Sequence, residues 1–401
     1  MAAEEPRMTP TKSTTSAGPL DGVRVLDLTS VVLGPLATQI LADFGADVIK
    51  IEAPEGDLMR ANGVSRHRGM SSIYLALNRN KRSVVIDLKT PEGAEQLRQL
   101  IATADVLVHN MRVSAIERLG FGYEAVAAIN ARIVYCVATG FGQDGPHRDR
   151  PAFDDIIQAA CGLVGLTTSL SAQPDYVPSL IADKTTGLAL ANAVLAALFH
   201  RERHGVGQSV EVPMLETMAS FALAEHLGGL TFEPQTEPAG YARLMQGGRR
   251  PAPTQDGWIC ALPYTERHWQ AFFRAADRED LAERFAVTDP ALRNANIRAL
   301  YAAMAEITPT RSSAEWMAIF EDLDIPATPI YGIDELPNHP HLRAVGLFQH
   351  TQHPTEGALV ELRPTARFSA TPLSLRRHAP ALGEHTAEVL GELPSHDGSR
   401  P

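Results

Sequence analysis

From residue 22 the chain alternates between two hydrophobic periods. Nearly continuous apolar runs, VRVLDL (23–28), DVIKIE (47–52), RSVVIDL (82–88), DVLVHN (105–110) and RIVYCVA (132–138), predict buried strands. Between them PLATQILADFG (35–45), ending on Gly45, reads as a helix. A second helix is predicted from Pro91, with Leu97, Leu100, Ile101 and Ala104 on one face. Shorter helices are predicted over 116–119 and 125–129. Strands without polar alternation, separated by helices, imply an α/β fold: a Rossmann-like, mostly parallel sheet covered on both faces.

From 154 to 228 the pattern is mainly helical, broken by one strand-like run, QSVEV (208–212). Around 233–250 the composition turns to Pro, Gly, Gln and Arg, and DGWICALP (256–263) opens a smaller α+β region. The expected division is a disordered tail over 1–18, a large domain begun by 19–228, a small inserted domain over 229–333, and a return segment over 334–401. In that last segment ALVELRP and ARFSATP are predicted as strands rejoining the large domain.

Composition narrows the function. The 401 residues carry a formal net charge of −11, which excludes a general nucleic-acid or acidic-membrane binder. An anionic ligand would need locally concentrated basic residues. Cys136, Cys161 and Cys260 show no metal-ligand spacing and read as small buried hydrophobes in a reduced compartment. The longest uncharged apolar stretch, Gly187–Phe199, is shorter than the ~20 residues a bilayer requires. The N-terminal segment lacks the apolar core of a secretory signal. A cytoplasmic protein without a membrane or metal partner is expected.

Cofactor motifs are few. The first strand is followed by TSVVLGPLATQ, with one glycine where a dinucleotide fingerprint needs three, so NAD is not expected. Phosphate-loop and G-x-S-x-G patterns are absent. PSLIADKTTGLALA (178–191) sets one carboxylate, Asp183, before a long apolar run. On residue type alone it reads as a helix N-cap; a nucleophile kept ionised by the helix dipole is compatible with that position. Basic residues gather at element ends: Arg79, Lys81 and Arg82 before a strand, Lys89 after it, and Arg148 and Arg150 in GPHRDRP (145–151). GGRRP (247–251) is a flexible basic turn, either a linker or a loop closing over a site, with Gly247 and Gly248 as its hinge candidates.

With these stretches in hand, the sequence resembles the class III CoA-transferases, the family of formyl-CoA:oxalate and carnitine CoA-transferases. The resemblance is carried by LDGVRVLDLT, GPLATQILADFGADVIKIEAPEGD, NRNKRSVVIDLKTPEG, ERLGFGYEAV, GFGQDGPHRDRP, HRERHGVGQSVEV, DGW and PALGEHTAEVL, nearly end to end from Pro19. It implies an interlocked homodimer acting on acyl-CoA and carboxylic acids, with coenzyme A as the only cofactor-like ligand. It makes Asp183 the catalytic residue, forming aspartyl anhydride and aspartyl-CoA thioester intermediates. For CoA contacts it implies Val31, Val32, Ile86, Lys89, Asn110, Met111, Arg118, Arg148 and Arg150. Departures are visible too: Met111 stands where relatives have an aromatic, Ala53 where one has an arginine, and Val32 where the oxalate enzyme has a glutamine. The same superfamily includes α-methylacyl-CoA racemase, whose His-Asp pair aligns with Phe153-Asp154. A phenylalanine cannot serve as that base, so transfer is favoured over racemisation, and Asp183 in its matching segment argues against a non-catalytic CoA-binding role.

Overall fold

The computed structural model describes residues 18–171, 173–245 and 250–393. Two compact units emerge. One comprises the chain up to Cys161, Val177–Ser220, and the chain from Gly346; the other comprises Gly162–Tyr176 and Phe221–Val345.

The first unit is built on a six-stranded sheet of β1 (Arg24–Leu28), β2 (Asp47–Glu52), β3 (Lys81–Val85), β4 (Val106–His109), β5 (Val134–Thr139) and β6 (Gln208–Pro213). All neighbours run parallel in the order β3-β2-β1-β4-β5-β6. The QSVEV run therefore supplies the sixth strand. β3 stops at Val85, earlier than its apolar run suggests, because Ile86–Lys89 turn out along the sheet's carboxyl edge.

The helices of this unit are α1 (Leu33–Asp43), α2 (Ser72–Leu77), α3 (Pro91–Thr103), α4 (Val113–Arg118), α5 (Tyr123–Ile129) and α6 (Asp154–Ala160). After α7 (Leu163–Ser171), in the second unit, come α8 (Ile181–His204) and α9 (Met214–His226). α3 shows how local signals suffice. Thr90 caps it by accepting the Gly93 N–H at 3.0 Å, Pro91 starts it, and Leu97, Leu100 and Ile101 bury its inner face. That face joins Leu26, Ile49, Val84, Leu107 and Phe121 in one core layer. α8 and α1 pack together on the sheet's other face. At Gly187 an added Cβ would meet the Leu33 carbonyl oxygen at 2.7 Å, so only glycine allows this approach. Among the described residues α8 alone is long and apolar enough to cross a membrane, by length and composition only. It outruns the predicted apolar stretch at both ends, and half of its most apolar window is buried inside the protein.

β3 is an edge strand and is covered by late chain. His385 N–H donates to the Ser83 carbonyl at 2.9 Å, Val85 N–H donates to Thr386 Oγ1 at 3.1 Å, and Arg82 pairs with Glu388 and Glu392. ALVELRP forms β11 (Gly357–Leu362), but it pairs antiparallel with β10 (Phe348–His353) in a separate two-stranded sheet. ARFSATP is irregular, with six of its seven residues exposed and no strand to pair with. The second unit has its own core, in which Trp269, Phe272, Phe273, Trp316 and Phe320 stack against one another. Its three-stranded antiparallel sheet, β7 (Ala252–Pro253), β8 (Trp258–Ala261) and β9 (Ala327–Pro329), leaves Cys260 exposed. The buried reading fails there because β8 alternates, putting Ile259 and Ala261 inward.

Candidate active site

The strand order reverses direction at β1 and β4, so the loops leaving them diverge and open a crevice at the carboxyl edge. Two cavities occupy it. One, about 300 Å³, is walled by Ser30, Val31 and Leu33 after β1, Asn110–Arg112 after β4, and Asp183 at the head of α8. The other, about 310 Å³, runs beside the ends of β1, β2 and β3 to Lys89. Ser30, Leu58 and Met111 line both, so the two adjoin along the sheet edge.

Asp183 lies in the first turn of α8 but does not cap it; Leu180 is the N-cap residue. Its backbone N–H donates to Asp154 Oδ2 at 2.9 Å, and Asp154 Oδ1 accepts from Gln158 Nε2 at 2.6 Å. Gln158 also ties down the approach to the helix, accepting from Val177 N–H and donating to the Val177 and Ser179 carbonyls. The Asp183 carboxylate itself is 8% exposed and accepts no hydrogen bond among the described residues. Burial pushes it up to about 7, with the charges of Asp154 and Asp155 adding to the effect. The expected dipole-stabilised, permanently ionised carboxylate is thus corrected. Asp183 stands three residues past the N-cap, inside the helix, where its carboxylate takes none of the first-turn amides, and a second acid stands beside it. Phe153, on the cavity wall and 63% exposed, is the residue before Asp154 and carries no proton.

Across the cavity the β1–α1 loop is held rigidly. Ser30 exchanges two hydrogen bonds with the Asn110 side chain, at 3.0 and 2.8 Å. Lys50, fully buried, donates to the Thr29 carbonyl at 2.9 Å and to Asp57 Oδ2 at 2.8 Å. Asp57 Oδ1 accepts from Val31 N–H at 3.1 Å and from Met59 N–H at 2.9 Å, the latter capping a short 3-10 turn, Leu58–Arg60. Val31 has φ +73°, a left-handed conformation that costs a β-branched residue about 1–3 kcal/mol. Lys50 and Asp57 were not singled out from sequence. A lysine inside the apolar run DVIKIE, and an aspartate before a short helix, were the available signals.

The remaining predicted residues divide. Val31, Asn110, Met111, Arg148 and Arg150 share a cavity with Asp183, and Ile86, Lys89 and Met111 line the adjoining one, as does Ala53. Val32 is buried at the start of α1 and lines neither, while Arg118 is exposed at the end of α4 and lines neither. Arg79, Lys81 and Arg82 are not ligand groups. They sit at the opposite end of the strands, where Arg79 forks onto Asp43, Lys81 bonds Asp27, Thr38 and Asn78, and Arg82 bonds Asp47. Buried cations need such partners, and these leave none for a ligand. Gly247 and Gly248 lie outside the described residues.

A parallel sheet of this order, with an elongated crevice at its switch point, defines an α/β enzyme of the kind that seats a nucleotide-bearing ligand there. The chain belongs to CoA-transferase family III, whose sequence signature matches residues 20–386. It is 33% identical to a succinate–glutarate CoA-transferase from Agrobacterium fabrum over 384 residues, covering 94% of this chain and 96% of the relative. It is 32% identical to a formyl-CoA:oxalate CoA-transferase from Rhodopseudomonas palustris, with 93% of each covered. Among solved structures it matches a CAIB/BAIF family protein from Brucella suis, with TM-score 0.80 and 30% identity over 94% of this chain and all of that one. The chain is therefore a CoA-transferase, and coenzyme A is its substrate.

Proposed function

We propose that this enzyme moves CoA reversibly between an acyl-CoA and a free carboxylic acid by covalent catalysis on Asp183. One observation carries the reading: a buried carboxylate without hydrogen-bond donors opens into a cavity that adjoins a second one reaching Lys89. The ionised Asp183 attacks the thioester carbon of the donor; the C–S bond breaks, leaving a mixed anhydride and CoA thiolate. The thiolate then attacks the aspartyl carbonyl, which releases the donor acid and leaves an aspartyl-CoA thioester. The acceptor carboxylate attacks that thioester and the two steps run in reverse, regenerating Asp183 with no net proton change. Four lower barriers replace one high one. Scarce donors around Asp183 keep its lone pairs available, and its raised proton affinity makes it a stronger nucleophile than an ordinary aspartate.

In this arrangement Lys89, exposed at the far end, meets the nucleotide phosphates, and Met111 lies midway along the ligand. Val31, Leu33, Leu58 and Met214 offer an aliphatic wall for the acyl group, while Arg148 and Arg150 stand ready for a second carboxylate. Small dicarboxylic acids, the kind named for the Agrobacterium relative, match that combination. The working unit is a homodimer: exposed Leu188 and Phe199 on α8, and an apolar cavity of about 710 Å³ between Leu36, Leu188, Leu195 and Leu362, present one unpartnered face.

Quenching a reaction of acyl-CoA and enzyme should give a CoA adduct on the 43.4 kDa chain at Asp183, trappable by hydroxylamine. Asp183→Ala should abolish both adduct and transfer while retaining CoA binding. Turnover without an adduct, accompanied by exchange of the α-hydrogen into deuterated water, would establish racemisation instead.

A further inference from the structure

We propose that Asp57 is a positioning residue of the acyl-transfer site, acting through the backbone of Val31. The inference rests on the assignment of the Asp183 cavity made above, and its subject is the opposite wall. Three facts carry it. Val31 holds φ +73°, a conformation that a β-branched side chain abandons unless something fixes it. The Asp57 carboxylate is what fixes it, taking the Val31 N–H on Oδ1 while Oδ2 is locked to Lys50. The turn at Val31 sets the path from β1 into α1, and so the placement of Ser30, Val31 and Leu33, all walls of the Asp183 cavity.

The geometry of the staple is over-determined on one side only. Asp57 and Lys50 have side chains 1% and 0% exposed, and Asp57 N–H is itself held by Glu52 Oε2 at 3.0 Å. α1 brings no capping side chain of its own to this turn; Asn110 and Lys50 hold Ser30 and Thr29 before it, and Asp57 takes the N–H of Val31 itself. Asp57 does not touch the reacting atoms in this scheme. It keeps the wall against which the acyl carbon is presented to Asp183 in a single conformation before substrate arrives.

The test is a double-mutant cycle on the full-length enzyme, reading kcat and KM for acyl-CoA. Asp57→Asn keeps the size of the side chain. Its amide oxygen is drawn to the Lys50 ammonium, which turns the NH2 against the Val31 and Met59 N–H groups and breaks the staple. The expected result is a loss of about tenfold or more in kcat, with KM changed much less. Glycine adopts positive φ without assistance, so in the Val31→Gly background the same Asp57→Asn change should cost under about threefold. A residue that only held the fold together would show an equal or larger penalty there, because glycine loosens the loop further; that result overturns the proposal. If Asp57→Asn does not fold, Val31→Pro decides the matter. Proline has no N–H and a fixed negative φ, and it leaves the Lys50–Asp57 pair intact. Wild-type kcat in Val31→Pro would sink the inference, and a kcat loss in a protein of normal unfolding midpoint would support it. Failure of the underlying assignment looks different: wild-type enzyme would turn over without any adduct at Asp183, whatever the coupling between positions 57 and 31.

Discussion

Two buried aspartates in the same unit have opposite fates. Asp27, fully enclosed, accepts from Thr29 Oγ1 at 2.5 Å, Thr38 Oγ1 at 2.7 Å and Lys81 Nζ at 3.0 Å. Burial pushes its carboxyl up, but Lys81, Lys50 and the two threonines outweigh burial and hold it below the ordinary carboxylate range. Asp183 is slightly less enclosed, has no such donors, faces two other acids, and rises to about 7. Depth alone therefore does not determine what a buried carboxylate is for. A saturated one locks β1, α1 and β3 together; an unsaturated one keeps its lone pairs free for the role proposed for Asp183, and the fold bears its cost.

The contrast can be broken from either side. Removing the saturation should be the larger effect: Lys81→Met leaves Asp27 buried without its cation and should cost about 3–5 kcal/mol in chemical unfolding. An unfolding midpoint unchanged from wild type would show that the threonines suffice. On the other side, the proposed mechanism needs ionised Asp183, so the transfer rate should fall as pH drops through about 7, approaching tenfold per unit below it. Asp154→Asn removes a neighbouring charge and should move that limb to lower pH. The limb should remain above the usual carboxylate value, because burial is the larger cause.

Stability supplies the third measure. An unfolded Asp183 titrates near 3.8 and the folded one near 7, so the folded state binds more protons in that window and loses stability as pH rises through it. Asp183→Asn escapes the loss and should melt about 2 °C or more above wild type at pH 8, with the gap shrinking toward pH 4. Smallest is Lys89→Ala, where an exposed charge is lost; it should raise KM for acyl-CoA about threefold, acting on kcat much less.

How far each aspartate could be read from sequence follows the same division. Five strands of the sheet stand out because they are buried on both faces, and Asp183 stands out because its segment is local and its resemblance specific. The roles of Lys81, Arg79 and Arg82 were invisible, since a buried lysine and a phosphate-binding lysine are the same letter, and Asp27 lies 54 residues from Lys81. The proton affinity of Asp183 is raised first by burial and then by Asp154, 29 residues away across the α6–α8 packing, and neither is visible in the local segment that suggested a cap. Val32 was expected beside CoA from the resemblance, and it is buried at the start of α1, lining neither cavity. β10 and β11 are joined by only residues 354–356, which makes them an antiparallel hairpin with each other rather than strands added to the parallel sheet.

The cover on β3 has a consequence for how the enzyme is made. Translation proceeds from the N-terminus, and the groups that occupy the outer edge of β3, His385, Thr386, Glu388 and Glu392, are about 300 residues downstream of Ser83. Until they leave the ribosome, the nascent sheet carries an open row of backbone donors and acceptors, the template on which β-rich chains associate. Arg82 at the head of that strand, whose partners Glu388 and Glu392 arrive last, then acts as a gatekeeper: a stray strand cannot pair there without stripping water from its guanidinium. A residue that locks the finished fold thus also guards it through the long interval of synthesis.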